Sequence, residues 1–303
     1  MRARFARTMT LMMLVGLLVA LTPITRANSD DSVRTAPLPT VPVAATPVAP
    51  GPQTVSAAPI LLYADEFNGP LDTATWTNDT PWNTHTDPAQ FAYYDPANAS
   101  VANGSLCITS QNRLINGRAY ASAFLTSSAR PKFSYGYFEI RAKLPKGPGI
   151  WPAFWLTNDS TLEIDGLEAL GDRPSRIYQT LHENGAQVYQ GLKDGPDYSA
   201  DFHTYGIDWQ PTYVKWYIDG VCTTTYTHAM PADPMWICLN TAVGGAWPGQ
   251  PTAATTFPVD YDIDYVRVYD TKPVANTAPV AAADSYSTAN GTALSVASSG
   301  VAQ

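Results

Sequence analysis

Short runs of alternating apolar and polar residues follow one another along most of the chain and predict β-strands. The clearest, residues 137–144, reads Tyr-Phe-Glu-Ile-Arg-Ala-Lys-Leu. Asp219-Gly220 is a tight-hairpin sequence between two such runs. More than ten runs without intervening helices predict a sandwich of two antiparallel sheets. The strands are predicted at residues 91–94, 105–110, 119–126, 133–144, 151–156, 176–183, 187–192, 203–209, 214–218, 221–226, 235–243 and 262–269.

The run at residues 161–171 carries three carboxylates within six residues, in the order Thr-Leu-Glu-Ile-Asp-Gly-Leu-Glu-Ala-Leu-Gly. Successive side chains of a strand point to opposite faces, so Glu163 and Asp165 share a face and Glu168 falls on the other. One extra residue, a β-bulge at Gly166, returns Glu168 to the face of the other two acids. The structural alternative is an acidic, solvated edge strand, but apolar residues interleave these acids.

Three neighbouring carboxylates on one face favour acid–base chemistry. Like charges at this spacing raise one another's pKa when they are buried, which is costly in a strand of purely structural purpose. A site that must keep one carboxyl protonated and another ionised needs such an arrangement. The candidate catalytic residues are therefore Glu163, Asp165 and Glu168.

Composition divides the chain into four segments. Residues 1–27 begin with three arginines, continue with an apolar run too short for a membrane anchor, and end in small residues, which predicts a secretory signal peptide. Residues 28–59 are rich in Pro, Ala, Val and Thr and are predicted to be a linker. Residues 60–270 form the predicted globular domain. Residues 271–303 are predicted to be a linker and a sequence that resembles the truncated start of a cadherin-like or immunoglobulin-like repeat.

Charge and cysteine content narrow the choice of partners. The chain carries 18 basic and 26 acidic residues, and loss of the signal segment with its four arginines lowers the net charge from −8 to −12. An exported acidic protein is a poor candidate for binding nucleic acid or an anionic membrane. We expect a secreted, extracellular monomer with neither partner.

Cys107, Cys222 and Cys238 allow at most one disulfide, and their spacing argues against metal or redox chemistry.

The acidic run and six further segments together resemble glycoside hydrolase family 16 over residues 60–270. Glu163-Ile-Asp-Gly-Leu-Glu168 is similar to the Glu-x-Asp-x-x-Glu signature of the β-bulge branch, which contains laminarinases and related β-glycanases. One departure is Gly166, where the family more often has Val, Ile or Phe. The resemblance implies a concanavalin-A-like β-jelly roll with a substrate cleft along its concave sheet. The other similar segments are residues 65–67, 135–144, 149–155, 203–209, 242–249 and 263–269.

The resemblance also implies catalytic roles. Glu163 corresponds to the nucleophile, Glu168 to the general acid/base, and Asp165 to a residue that tunes and orients the pair. In retaining glycoside hydrolysis one carboxylate attacks the anomeric carbon while the other protonates the leaving oxygen and later activates water. The spacing of the acids does not by itself separate a retaining from an inverting mechanism.

Four further residues are candidates for substrate binding, because sugar rings present apolar C–H faces to aromatic platforms. The resemblance places Trp151 and Trp247 at the cleft and His182 near the carboxylates. A core position for Trp155, a plain surface turn for Trp247 and a structural role for His182 remain open alternatives.

No cofactor is expected to be required for catalysis. The resemblance nevertheless implies a structural calcium ion away from the cleft, at Glu66, the Gly104 carbonyl and Asp264. Calcium prefers oxygen ligands of this kind.

The function implied is that of a secreted, retaining endo-β-glycanase that cleaves β-1,3 or mixed β-1,3/β-1,4 bonds in a polysaccharide. A bacterial exopolysaccharide is an alternative substrate. A non-catalytic, lectin-like module on the same sandwich would lack at least one of Glu163 and Glu168, and both are present. A cell-surface structural protein is suggested only by the linker and the tail.

Overall fold

A computed structural model describes residues 58–274, except residues 79, 81–83, 130, 159 and 160. This part of the chain contains sixteen β-strands and one short 3-10 turn, Pro96–Asn98. Among these residues, no helix is long and apolar enough to cross a membrane. The predicted signal peptide, nearly all of the linker before the domain and the repeat-like tail lie outside the described residues.

The larger sheet has eight strands in the order β14-β13-β12-β7-β16-β4-β3, and β1 also pairs with β16. All of its pairings are antiparallel. Its strands are β1 (Leu61–Asp65), β3 (Ala99–Ala102), β4 (Ser105–Ser110), β7 (Gly136–Lys143), β12 (His203–Gln210), β13 (Tyr213–Ile218), β14 (Val221–Tyr226) and β16 (Val259–Tyr269).

The second sheet has six strands in the order β11-β10-β9-β8-β15-β6, again with antiparallel pairing throughout. A separate short pair, β2 (Ala92–Tyr94) with β5 (Tyr120–Ser122), is parallel. The strands of the six-stranded sheet are β6 (Phe124–Thr126), β8 (Ile150–Thr157), β9 (Leu162–Ala169), β10 (Arg176–Glu183), β11 (Ala186–Asp194) and β15 (Trp236–Val243).

The predicted two-sheet architecture is confirmed, and most predicted strands lie within one to three residues of the observed ones. Residues 105–110, 176–183 and 221–226 have the predicted bounds. The predicted strand at residues 119–126 is divided, because its first half pairs with β2 and its second half with β15. The tight turn at Asp219-Gly220 joins β13 to β14, and both of its residues have positive φ.

The main hydrophobic core fills the space between the two sheets. Leu162, Ile164 and Leu167 of β9 enter it from the six-stranded sheet. Trp209 and Trp216 enter it from the larger sheet and are fully buried. Because β9 buries its apolar residues in this core, its acidic residues are left on the outer face of the six-stranded sheet, which we call the site face.

A smaller apolar cluster covers part of the site face near β6. It joins residues from β2, β6, β8 and β15, so a short segment outside the large sheets closes one flank of this face. The three cysteines, all of them described, form no disulfide with one another. The buried members of the cluster are Tyr94, Phe124, Ala153, Trp155, Trp236 and Cys238.

Candidate active site

The predicted β-bulge is present in β9. Asp165 lies opposite Thr180 of β10 and Glu168 lies opposite Tyr178, so two residues of β9 face one residue of β10. The pairing of β9 with β8 shifts at the same place. The extra residue turns Glu168 back to the site face, where Glu163 and Asp165 already lie. A strict alternation would have placed Glu168 in the core.

Side chains from beneath the sheet satisfy the carbonyl groups that the bulge releases from the ladder. The Trp216 indole Nε1 donates a hydrogen bond to the Asp165 carbonyl oxygen at 2.8 Å. The Gln179 amide Nε2 donates to the Gly166 carbonyl oxygen at 3.4 Å, and its own oxygen accepts a hydrogen bond from the Thr223 hydroxyl. Buried backbone groups need such partners, so these contacts fix the shape of the bulge.

Gly166 suits the bulge for a steric reason. A Cβ atom at this position would lie 2.8 Å from the Cδ1 and Cγ1 atoms of Ile207 and 3.0 Å from Cδ1 of Phe154. Ile207 belongs to β12 of the opposite sheet and is fully buried. The isoleucine therefore occupies the space that a larger residue at position 166 would need, which explains how this chain accommodates its departure from the family pattern.

The three carboxylates form one interacting group with a threonine and a histidine of β10. The Thr180 hydroxyl is hydrogen-bonded to Asp165 Oδ2 and lies 3.0 Å from Glu168 Oε2. His182 Nε2 lies 3.5 Å from Asp165 Oδ2 and 3.8 Å from Glu163 Oε1. The register places His182 opposite Glu163, as the family resemblance implies for a histidine near the carboxylates.

Burial and mutual repulsion shift the pKa values of two of these acids. Burial, followed by the negative charges of Glu168 and Glu163, raises the pKa of Asp165 well above its ordinary value. Burial is also the main reason why the pKa of Glu168 rises to about 7, and the charge of Glu163 adds to it. The Trp151 indole, and the Thr180 hydroxyl when it donates to Glu168, act in the opposite direction on the pKa of Glu168 because they stabilise its ionised form. At least one carboxyl of the group is thus held protonated near neutral pH.

Aromatic side chains form a wall beside Glu168. The ring of Trp247 meets the ring of Trp151 edge-on at 4.7 Å and the ring of Tyr178 at 4.9 Å. Both tryptophans are half-buried and so keep exposed surface. The loop before Trp247 passes close to the Phe91 ring. Gly244 permits this approach because it has positive φ and no Cβ, for which there would be no room beside Phe91. Exposed aromatic surface of this kind can carry the apolar face of a sugar ring.

Trp155 lies on the site face but is not part of this wall. It is opposite Asp165 and only 9% exposed, because Phe124 and the rest of the smaller cluster cover it. Its indole Nε1 donates a hydrogen bond to Asn240 Oδ1 at 2.8 Å. The structure thus places it in an apolar cluster, though not in the main core, and its contact with substrate stays a prediction.

Two groups of residues are candidate cation ligands. Among the described residues, Glu163, Asp165 and His182 have potential ligand atoms within 4.8 Å of one another. The two acids are candidate catalytic residues, and His182 is a candidate for substrate binding. Both carboxylates of the predicted calcium site are hydrogen-bonded to arginines. Both oxygens of Glu66 accept hydrogen bonds from Arg267, and Asp264 accepts one from Arg141 at 2.7 Å.

An ion bound by the Glu66 carboxylate would therefore have to displace the Arg267 guanidinium, and one oxygen of Asp264 is already bound by Arg141. Gly104 has φ of +75°, and a Cβ there would lie 3.9 Å from Asn68 Oδ1. Calcium binding at Glu66, Gly104 and Asp264 stays a prediction, and no catalytic step depends on it.

Sequence reasoning missed Thr180, Tyr178 and Gln179. All three lie on β10 next to the bulge, and their roles follow from the register between β9 and β10. The sequence predicted this strand correctly but contained no signal for its register. A polar residue at every second position, Thr180 and His182, was the only indication that one face of β10 meets the acids.

Comparison with known proteins agrees with this geometry. Residues 87–267 match the profile of "Glycosyl hydrolases family 16". A β-glucanase of Rhodothermus marinus is 33% identical over 245 residues, covering 69% of this chain and 84% of the relative. The endo-1,3-1,4-β-glycanase EglC of Rhizobium meliloti (strain 1021) is 34% identical over 182 residues, covering 56% of this chain and 39% of the relative.

Solved structures agree as well. The laminarinase catalytic domain from Thermotoga maritima MSB8 superposes with a TM-score of 0.65 at 32% sequence identity, covering 71% of this chain and 99% of that domain. The family match spans more than half of the chain, and the shared fold is the β-jelly roll expected from the sequence. The chain belongs to glycosyl hydrolase family 16.

Proposed function

We propose that the protein is a retaining endo-β-glucanase that hydrolyses β-1,3 or mixed β-1,3/β-1,4 bonds in polysaccharides. The observation that carries the proposal is the bulge in β9, which brings Glu163, Asp165 and Glu168 to one face beside an aromatic wall. The likeness to a β-glucanase, an endo-1,3-1,4-β-glycanase and a laminarinase supports the linkage class.

In this proposal the reaction proceeds by double displacement. Glu163 attacks the anomeric carbon while protonated Glu168 gives its proton to the leaving glycosidic oxygen. Glu168 then takes a proton from water, which attacks the same carbon and releases Glu163. The raised pKa of Glu168, about 7, suits a group that must first donate and then accept a proton near neutral pH.

The experiment is hydrolysis of laminarin, lichenan and carboxymethylcellulose by the full chain, followed by reducing-sugar release and by proton NMR of the first products. We expect activity on the first two substrates and initial formation of the β-anomer. Glu163→Ala should lose turnover and retain binding to laminarin. Normal hydrolysis by Glu163→Ala, or an initial α-anomer, would refute the proposal.

A bacterial exopolysaccharide with β-1,3 or β-1,4 bonds is a second candidate substrate, favoured by the likeness to the endo-1,3-1,4-β-glycanase EglC. Native exopolysaccharides therefore belong in the same substrate panel. A higher kcat/KM on one of them than on laminarin would identify it as the preferred substrate.

We also propose that the protein is exported and acts as a monomer. Residues 1–27 support export because they combine basic residues, an apolar run and small residues at their end. Fractionation of a producing cell should place the shortened protein in the medium, and light scattering of that protein should give the mass of one chain. Retention of residues 1–27 in the extracellular protein would contradict the signal assignment.

A further inference from the structure

Thr180 occupies the point where the carboxylates of Asp165 and Glu168 meet. Its side chain is 1% exposed and lies on the site face between Asp165 and Glu168. Its hydroxyl oxygen is hydrogen-bonded to Asp165 Oδ2 and lies 3.0 Å from Glu168 Oε2. Asp165 is itself 5% exposed, so water has little access to this contact.

The number of protons available at this point is limited. A threonine hydroxyl has one proton to donate and lone pairs with which to accept. If both carboxylates were ionised, Thr180 could donate to only one of them, and its oxygen would face the other carboxylate without a proton between them. Both contacts become hydrogen bonds only when Asp165 or Glu168 is protonated and donates to Thr180. The geometry therefore fits a pair that holds one proton.

The surrounding charges also favour the state in which the pair holds one proton. Glu163 on β9 is the other negative group beside the pair, and repulsion among three carboxylates disfavours ionisation of all of them. His182 on β10 lies 3.5 Å from Asp165 and is the cationic group, when protonated, that opposes this repulsion. From β8 the nearest contributor is the Trp151 indole, which does not titrate.

We propose that Thr180 is a positioning residue that bridges Asp165 and Glu168 and stabilises the state in which the two carboxyls share one proton. The proton can change places without leaving the site. The Asp165 carboxyl gives its proton to Thr180 Oγ1 while the Thr180 hydroxyl gives its own proton to Glu168. Two protons each shift along one hydrogen bond, the net result is the transfer of one proton from Asp165 to Glu168, and the threonine is unchanged. This inference rests on the proposed function only for its consequence, which is that Glu168 is protonated when substrate binds.

The bridge has a measurable signature. When the pair holds one proton, Thr180 makes one more hydrogen bond than when both carboxyls are ionised. The bond that Thr180 donates to a carboxylate is also stronger than one to a neutral carboxyl, which favours the singly protonated pair over the doubly protonated one. The bridge therefore separates the two protonation steps of the pair. Its removal should bring the steps together, lowering the upper one by about half a unit to one unit of pH and raising the lower one.

The test is a carbon-13 NMR titration of carboxyl groups in protein labelled at Asp and Glu side chains, without substrate. Thr180→Val keeps the shape of the side chain and removes the hydroxyl, Thr180→Ala is a second variant should valine perturb folding, and Thr180→Ser keeps the hydroxyl. Glu163 and His182 are unchanged in all of them. We expect the two steps to approach one another in the valine and alanine variants and to stay near wild type in the serine variant.

The pH profile of kcat/KM on laminarin provides a second readout. The alkaline limb should move to lower pH in Thr180→Val by the same amount as the upper titration step, and Thr180→Ser should restore it. A purely structural role would scale activity at all pH values without moving the limb. The bridge is refuted if the steps shift together in one direction or not at all, or if serine behaves like valine. If the steps converge in Thr180→Val while the wild-type protein hydrolyses no β-glucan, the bridge is supported and the proposed function is refuted.

Discussion

Replacement of Gly166 by alanine tests the structural basis of the active site. The added Cβ would lie 2.8 Å from two atoms of Ile207 and 3.0 Å from Phe154, closer than nonbonded carbon atoms approach. The core between the sheets is tightly packed, so one of these side chains or the bulge itself must move. Movement of the bulge would displace Glu168 relative to Glu163.

The expected loss of stability is that of an overpacked core, about 1–3 kcal/mol. In a domain of this size each kcal/mol lowers Tm by about 2–4 °C. A displacement of a reacting group by about 1 Å costs on the order of a hundredfold in rate, so we expect kcat/KM on laminarin to fall between tenfold and a hundredfold. Urea unfolding, thermal unfolding and initial rates measure these three quantities.

Two variants provide the controls. Gly69→Ala adds the same methyl group where nothing lies within 4 Å and should be neutral. Ile207→Val removes Cδ1, one of the two Ile207 atoms that would lie 2.8 Å from the new methyl group, and alone should cost about 0.5–1.5 kcal/mol. In the double variant Gly166→Ala/Ile207→Val, the methyl group removed at position 207 leaves space for the one added at position 166. The loss in the free energy of unfolding should therefore be smaller than the sum of the two single losses. A fully stable Gly166→Ala, or strict additivity, would refute the steric reasoning.

Three further variants address the bulge, the wall and the acid. Gln179→Leu leaves the Gly166 carbonyl without its partner and should cost about 1–3 kcal/mol in urea unfolding. Trp247→Ala should raise KM for laminarin about tenfold with little change in kcat, because it removes apolar contact made equally in the ground and transition states. Glu168→Gln should abolish turnover and, at pH 8, raise the free energy of unfolding on the order of 2–3 kcal/mol.

The sign of the Glu168 effect follows from its pKa. The folded protein holds this proton up to about pH 7, whereas the unfolded chain releases it near its ordinary value of 4.5. Between these values the folded state binds more protons, so wild-type stability falls as pH rises. The gain in the glutamine variant should thus vanish near pH 4. An equal gain at pH 4 and pH 8 would contradict the raised pKa of Glu168. An unchanged unfolding midpoint for Gln179→Leu would contradict the hydrogen bond to the Gly166 carbonyl. An unchanged KM for Trp247→Ala would contradict a contact between Trp247 and the substrate.

The candidate catalytic residues could be predicted because their signal is local. Because side chains alternate along a strand, Glu163 and Asp165 must share one face, and the apolar residues between them indicate that the other face is buried. Glu168 required the further assumption of a bulge, for which Gly166 was the only local sign. The register of β9 against its two neighbours confirms that assumption.

Apart from His182, which the family resemblance placed near the carboxylates, the partners of those acids could not be predicted because they depend on register and on distant segments. Thr180 contacts two carboxylates only because β10 pairs with β9 in one of several alignments that its own pattern would allow. The alternation of side chains along β8 places Trp155 on the site face, yet Tyr94 and Phe124, which come from remote parts of the chain, cover it. The parallel pairing of β2 with β5 is likewise a tertiary contact without a local signature.

In the proposed mechanism Glu163 attacks the sugar while Glu168, brought alongside by the bulge, transfers the proton. An activated 2-deoxy-2-fluoro β-laminaribioside slows the second displacement, so that the covalent glycosyl-enzyme accumulates and its labelled peptide can be sequenced by mass spectrometry. We expect one label per chain, on Glu163. A label on Asp165 or Glu168, or no label on protein that hydrolyses laminarin, would refute this mechanism.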